Sequence, residues 1–132
     1  MASGRPARPC SAAMTKVTQA VGAWGERLAA AHLLAAGMVL LDRNWRGAAG
    51  EVDIIARDGD AVVFCEVKTR RSATYGTPAE AVARAKVRRL RQLAAQWLAI
   101  TGVRPAEVRF DVVSVYARRG AEPVVQHIRG AF

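Results

Sequence analysis

Cysteine is nearly absent from this 132-residue chain, which has only Cys10 and Cys65. Two isolated thiols build neither a disulfide framework nor a zinc site, which needs clustered Cys or His at ligand spacing. Cys65 reads instead as a small buried residue of a strand. The two histidines, His32 and His127, are equally isolated and read as structural. Long apolar runs are missing too. No stretch reaches the length that spans a bilayer, and the opening MASGRPARPCSAAMTKV lacks the apolar core of a secretory signal. The expectation is a cytoplasmic protein with no membrane partner. Repeats and low-complexity tracts are lacking, which sets repeat architectures aside. Acids are a minority, 11 Asp and Glu against 20 Lys and Arg.

What is present suits one globular domain. Half of the residues (52%) are hydrophobic, enough for a single core at this length but not for two. Residues 1–14, rich in Ala, Ser, Pro and Arg, are expected to form a disordered tail, with Met14 an alternative start. Residues 15–132 are the expected domain. The net charge of +9 is unevenly placed. Residues 67–91 hold eight basic side chains, Lys68, Arg70, Arg71, Arg84, Lys86, Arg88, Arg89 and Arg91, against one acid, Glu80. A concentrated patch of this kind points to a polyanionic partner, nucleic acid above all.

Residues 15–36 are rich in Ala and Leu and stop at Gly37, which predicts a helix with a glycine C-cap. Glu26 is its odd member, since its helix-surface neighbours are Gly22, Ala29, Ala30 and Leu33. A strand is predicted over 38–45, then a turn at 47–50. Two further strands, 51–57 and 61–70, flank Asp58-Gly59-Asp60, a hairpin signal. Thr77-Pro78-Ala79-Glu80 reads as a capping box with proline at the first helical position. The helix it opens runs to about Ile100, with Val82, Ala83, Leu90, Leu93, Ala94 and Trp97 as its apolar stripe. Arg84, Arg88 and Arg91 fall on the opposite side and Lys86 within the stripe. Strands over 108–116 and 124–128 complete an α/β order, which predicts a mixed sheet flanked by helices.

Within the hairpin, acids interrupt apolar runs. A buried carboxylate must be paired, metal-bound or protonated, and Gly50-Glu51-Val52-Asp53-Ile54-Ile55 and Phe64-Cys65-Glu66-Val67-Lys68 carry such groups in adjacent strands. A two-residue loop at Asp58-Gly59 sets Asp53 opposite Phe64, and one at Gly59-Asp60 sets it opposite Glu66. Either register puts Asp53, Glu66 and Lys68 on one face, whereas a one-residue slip reverses a strand. Two carboxylates suit Mg²⁺ or Mn²⁺, which keep positions open for water and substrate. Such an ion polarises a phosphodiester and activates water. The Val67 carbonyl is a candidate further ligand, and Lys68 a candidate to orient water or stabilise developing charge.

Asp53, thirteen residues later Glu66-Val67-Lys68, resembles the PD-(D/E)xK nuclease motif. The helical Glu26 is similar to the additional acid of archaeal Holliday-junction resolvases in that superfamily. The wider pattern resembles the YraN family of uncharacterised bacterial proteins over roughly residues 20–116. It runs through Gly25-Glu26, Gly50-Glu51-Val52-Asp53, Glu66-Val67-Lys68-Thr69-Arg70, Lys86 and Arg109-Phe110-Asp111-Val112-Val113. The resemblance implies a restriction-endonuclease-like fold in which Asp53 and Glu66 bind metal, Lys68 acts in catalysis, and Glu26 completes the metal shell or holds a metal-bound water. One departure is Val52, where the motif name has proline.

These residues also have plainer readings. Glu26 alone suits an ion pair with Arg27 or a strand lysine, and Glu80 a cap. Lys86 either snorkels past the core to water or contacts phosphate. Arg84, Arg88 and Arg91 suit a solvated face as well as a nucleic-acid surface, for which Arg70 and Arg71 are the stronger candidates. Trp45 and Tyr75 suit local packing better than base stacking, and Asp111 suits pairing with an arginine. The leading expectation is a metal-dependent nuclease acting on DNA, structure-selective for branched or single-stranded forms in repair or recombination, and a candidate homodimer. A non-catalytic nucleic-acid-binding module and a protein-interaction adaptor are the rivals.

Overall fold

The computed structural model describes residues 12–71 and 84–132, with side chains described from residue 20 onward. Helix α1 (Ala12–Ala35) leads into strands β1 (Val39–Gly47), β2 (Gly50–Asp58) and β3 (Ala61–Arg70). Helix α2 (Arg84–Thr101) then precedes β4 (Glu107–Tyr116) and β5 (Val124–Ile128). The strands lie in sequence order in one five-stranded sheet. β1, β2 and β3 pair antiparallel, β3 and β4 parallel, and β4 and β5 antiparallel. A parallel pair requires a crossover, and α2 is the helix that makes it. The mixed sheet with its two helices is the α/β arrangement the sequence predicts, consistent with a restriction-endonuclease-like fold.

Each helix covers one face of the sheet. Ala29, Ala30 and Leu33 of α1 pack with Met38, Ile54, Ala56, Cys65, Val113 and Val115. Leu90, Leu93, Ala94 and Trp97 of α2 pack with Val52, Ile55, Val62, Phe64 and Phe110. Burial on both faces is why the central strands are so apolar. Leu33 and Leu93 are withdrawn almost completely from water, which contributes about 1.5–3 kcal/mol for each. α1 ends as the sequence predicts, with Gly37 at φ 94° and the Met38 amide donating to the Leu33 carbonyl at 3.1 Å. The opening of α2, including the capping box with Glu80, and Tyr75 lie outside the described residues.

The β2–β3 connection resolves the two registers. Asp58 pairs with Ala61, so Gly59-Asp60 is the loop, and the ladder runs up to Ile54 opposite Cys65. Continued one step, that register sets Asp53 against Glu66. The pairing stops there, however, although β2 begins at Gly50 and β3 continues to Arg70. From Asp53 backward and Glu66 onward the strands form a fork.

A buried polar network ties the β4–β5 side together. Asp111, fully buried, receives Arg109 Nε on Oδ1 at 2.9 Å and Arg109 Nη2 on Oδ2 at 3.0 Å. His127 Nε2 lies 2.7 Å from Oδ2, and the Gly130 amide donates to Oδ1 at 3.0 Å. Burial works against the Asp111 charge, but the His127, Arg109 and Gly130 bonds outweigh it and hold the carboxyl down at about 2. The arginine expected for Asp111 is Arg109. His127 is structural as expected, its ring edge-on to His32 with centroids 5.9 Å apart.

Candidate active site

At the fork, strand alternation breaks. Val52 and Ile55 both face α2, whereas Ile54 and Ala56 face α1. Strict alternation would have put Val52 with Ile54. Asp53 sits at the break, and its carboxylate reaches along the sheet toward β3, where Oδ2 accepts the Val67 amide at 2.8 Å. The side chain thus replaces the main-chain partner that the departing β2 no longer supplies. Asp53 is therefore not upright on a face beside Glu66, as simple alternation predicts, but lies between the strands. A residue's N–H and C=O point to the same side of a strand, so the Val67 carbonyl is turned to the same opening.

Asn44 is the counterpart of Asp53 on β1, in a gap between the Arg43–Ile54 and Trp45–Val52 pairs. It is the one described non-glycine residue with positive φ, 51°, a conformation asparagine tolerates better than most residues. From there its Nδ2 donates to Glu26 Oε1 at 3.0 Å. Sequence reasoning missed this contact, and the only available signal was an asparagine inside an otherwise regular strand. Glu26 thus has Asn44, rather than Arg27 or a strand lysine, as its hydrogen-bond partner.

Close helix packing delivers Glu26 to this end of the sheet. A Cβ on Gly25 would fall 1.9 Å from Thr69 Oγ1, so glycine is what lets α1 approach β3 next to Glu26. The fork opens the sheet between its faces, and Glu26 from the α1 side senses the charges of Glu51 and Glu66. Burial and those two carboxylates raise its pKa, with Arg43 opposing. Asp53 is pushed up to about 7, by burial first and then by Glu66, Glu26 and Glu51, against the Val67 hydrogen bond. Mutual repulsion among these acids is what a bound cation relieves.

On the α2 side, Glu66 is buried and engaged by lysines. Lys86 Nζ contacts Glu66 Oε2 directly, and Lys68 Nζ lies 4.0 Å from the same oxygen. Burial, followed by the Lys86 bond and charge, lowers the Lys68 pKa, while the carboxylates Glu66 and Asp53 oppose this. Burial is the largest single effect on Lys86 and opposes its charge, but the Glu66 bond and charge, with Lys68 and Asp53 adding to them, together outweigh it and raise the pKa. Lys86 does face inward, as its place in the apolar stripe predicts. Its partner is an acid of the site, which neither the snorkelling nor the phosphate reading anticipated.

The other cations divide. Arg84, Arg88 and Arg71 are exposed, and Arg70 is half-buried at the end of β3. Arg91 is exposed, as its predicted solvent-facing position implies, and lies over the Phe110 ring with Cζ 5.1 Å from its centroid. Trp45 packs against the α2-side core, and its ring is one of the groups a Cβ on Gly47 would meet. Cys65 is buried, and burial raises its thiol pKa, the charges of Asp111, Asp53 and Glu66 adding to the effect.

The donor set at the fork is all oxygen: the Asp53 and Glu66 carboxylates, with the Val67 carbonyl. Hard divalent cations such as Mg²⁺ or Mn²⁺ take such donors. Among the described residues, no three His, Cys, Asp or Glu side chains converge to hold an ion. An ion here would have Asp53 and Glu66 as its carboxylate donors, with its other positions open to carbonyl, water and substrate. No helix among the described residues is long and apolar enough to cross a membrane.

Comparison with known proteins places the chain. The profile of the uncharacterised protein family UPF0102 matches residues 25–115, a span containing Glu26, Asp53, Glu66, Lys68 and Lys86. A UPF0102 protein of Nocardioides sp. (strain ATCC BAA-499 / JS614) is 53% identical over 120 residues, covering 91% of this chain and 97% of that protein. UPF0102 proteins of Rhodococcus jostii (strain RHA1) and Rhodococcus opacus (strain B4) are each 54% identical over 113 residues, covering 86% of this chain and 96% of theirs. With a match across most of its length, this chain belongs to the UPF0102 (YraN) family.

Proposed function

We propose that this chain is a divalent-metal-dependent nuclease that hydrolyses DNA phosphodiester bonds, with selectivity for branched or single-stranded structures. The observation that carries the reading is the fork. There Asp53, turned between the strands onto the Val67 amide, lies close enough to Glu66 and Glu26 for their charges to oppose one another, with Lys68 beside Glu66. When bound, Mg²⁺ or Mn²⁺ supplies Lewis-acid activation of the phosphate and of the attacking water. Asp53 and Glu66 are the residues that hold it, and the Asp53–Val67 hydrogen bond fixes the carboxylate. Glu26, oriented by Asn44, orders water at the rim. Lys68, near Glu66, stabilises negative charge on the phosphate oxygens. Arg70, Arg71, Arg84 and Arg88 contribute the positive surface along which a phosphate backbone lies.

Junction, flap, single-strand and duplex DNA, each with an RNA counterpart, incubated with Mg²⁺ or Mn²⁺ test this reading. Metal-dependent DNA cleavage that is lost in Asp53→Asn and falls by about 10²-fold or more in Lys68→Ala is the expected result. Intact substrates throughout, or full activity in Lys68→Ala, would overturn it. One observation favours a non-catalytic nucleic-acid-binding module, namely that Lys86 is paired directly with Glu66, the carboxylate a metal would need. That reading requires salt-sensitive DNA binding that survives Asp53→Ala and is indifferent to Mg²⁺.

A further inference from the structure

We infer that Lys86 is an exchangeable internal cation, holding Glu66 in the metal-free protein and transferring to a substrate phosphate when a divalent ion takes the carboxylate. The inference rests on the proposed nuclease reading and adds a regulating residue to that site. Three observations carry it. First, α2 is strongly basic, but its other cations are outward or, for Arg91, over Phe110. Lys86 alone among those described on this helix bonds to an acid of the fork. Second, it and Lys68 crowd the same oxygen, Glu66 Oε2. Two ammonium groups near one carboxylate oxygen repel each other, and Lys86, reaching in from α2, makes the direct contact that an ion on Glu66 displaces. Third, Lys86 is half-buried rather than sealed in the core and carries a flexible four-carbon stem, whereas the exposed Arg84 and Arg88 lie on the opposite side of the helix. Released from Glu66, its ammonium stays within reach of a phosphate bound at the fork, because the carboxylate it leaves belongs to that site.

The consequence runs against intuition. Lys86 competes for the ligand that a metal requires, so removing its charge should tighten metal binding while weakening DNA binding. Methionine matches the stem without the ammonium. Titration of Mg²⁺ and Mn²⁺ by calorimetry into the metal-free full chain should show Lys86→Met binding about tenfold more tightly than the parent, the scale of one partly buried ion pair. Lys86→Arg, which keeps the charge, should bind no more tightly than the parent. In Ca²⁺, with affinity for a DNA junction read by fluorescence anisotropy, Lys86→Met should bind more weakly than the parent and Lys86→Arg should retain affinity.

A parent that binds metal, with Lys86→Met binding equally or more weakly, overturns the exchange role and leaves the nuclease reading intact. If neither parent nor variant binds either ion, the nuclease reading fails and the exchange role with it. Far-ultraviolet circular dichroism checks that each variant is folded. If Lys86→Met is not, the Lys86 side-chain ammonium ¹⁵N resonance of the parent decides: it should move on Mg²⁺ addition, and a static resonance would overturn the exchange.

Discussion

Asp53 is a carboxylate that folding makes harder to ionise, and the sign of that effect sets a pH dependence. Its pKa of about 7 in the fold stands above the ordinary value near 4. Between those two pH values the folded state binds more protons than the unfolded chain, so the Asp53 contribution lowers stability as pH rises from about 4 to about 7. Asp111 has the opposite sign. Held at about 2, it stabilises fully above about pH 4 and loses that contribution as pH falls through 2. Asp53→Asn, whose amide oxygen still accepts the Val67 N–H, should therefore stabilise the metal-free protein at pH 8 by about 1–2 kcal/mol, after allowance for partial exposure. The variant should also flatten the change in melting temperature between pH 5 and pH 8. Thermal melts across that range, followed by circular dichroism, check this, and a variant as pH-sensitive as its parent would count against the repulsion at the fork.

The same residue marks how far sequence reasoning reaches. Alternation identified Asp53, Glu66 and Lys68, because a strand's period of two is a local property. It misplaced the direction of Asp53, because the break at the fork depends on where β2 parts from β3. Glu26 with Asn44, and Asp111 with His127, were illegible as pairs, since each joins elements that only tertiary packing brings together. Lys86 was half legible: its helical angle gave the inward direction, but not the acid waiting there.

At the level of elements, the docking of α1 on β3 is the contact that places Glu26. Gly25 is the hinge of that contact, since a Cβ there would lie 1.9 Å from Thr69 Oγ1, 2.9 Å from its Cβ and 3.0 Å from its Cγ2. Alanine favours the helix by about 1 kcal/mol over glycine, whereas overpacking costs about 1–3 kcal/mol. The clash is with β-branched atoms close to a strand backbone, so the cost should win. Gly25→Ala should lose about 1–2 kcal/mol of stability in urea unfolding and weaken metal binding by moving Glu26. Adding Thr69→Ala removes Oγ1 and Cγ2, and the double variant should recover part of the loss. Additive effects in that cycle would mean that the two residues do not meet. The strands themselves were legible to within two residues, because both sheet faces are covered and their apolar runs end at turn signals. Neither the close approach at Gly25 nor the fork follows from such runs.

Across the whole molecule, an acidic fork sits beside a strongly basic stretch, and the parallel β3–β4 pairing is what brings them together. α2 crosses from the end of β3 to the start of β4, so Arg84 and Arg88 at its described beginning lie near the β3 end that holds Glu66 and Lys68. The charge concentration was legible in the sequence, but its placement on the side of the acids was not, because it depends on the crossover. If that surface carries a phosphate backbone, its arginines release counterions on binding, and each phosphate neutralised adds about 0.9 to the slope of log K against log salt on duplex DNA. Arg84→Gln with Arg88→Gln should reduce the slope by about 1–2 and weaken binding to all sequences alike. Lys86→Met, in the presence of Ca²⁺, should remove about one more unit. In metal-free protein the same substitution should leave the slope nearly unchanged, because there Lys86 is committed to Glu66. Anisotropy titrations between 50 and 300 mM salt, with and without Ca²⁺, provide the comparison (~0.05–0.3 M, the range in which such slopes are resolved). An unaltered slope in the double arginine variant would make α2 a merely solvated face. A Lys86 effect of equal size with and without Ca²⁺ would mean that this lysine meets phosphate whether or not Glu66 is occupied.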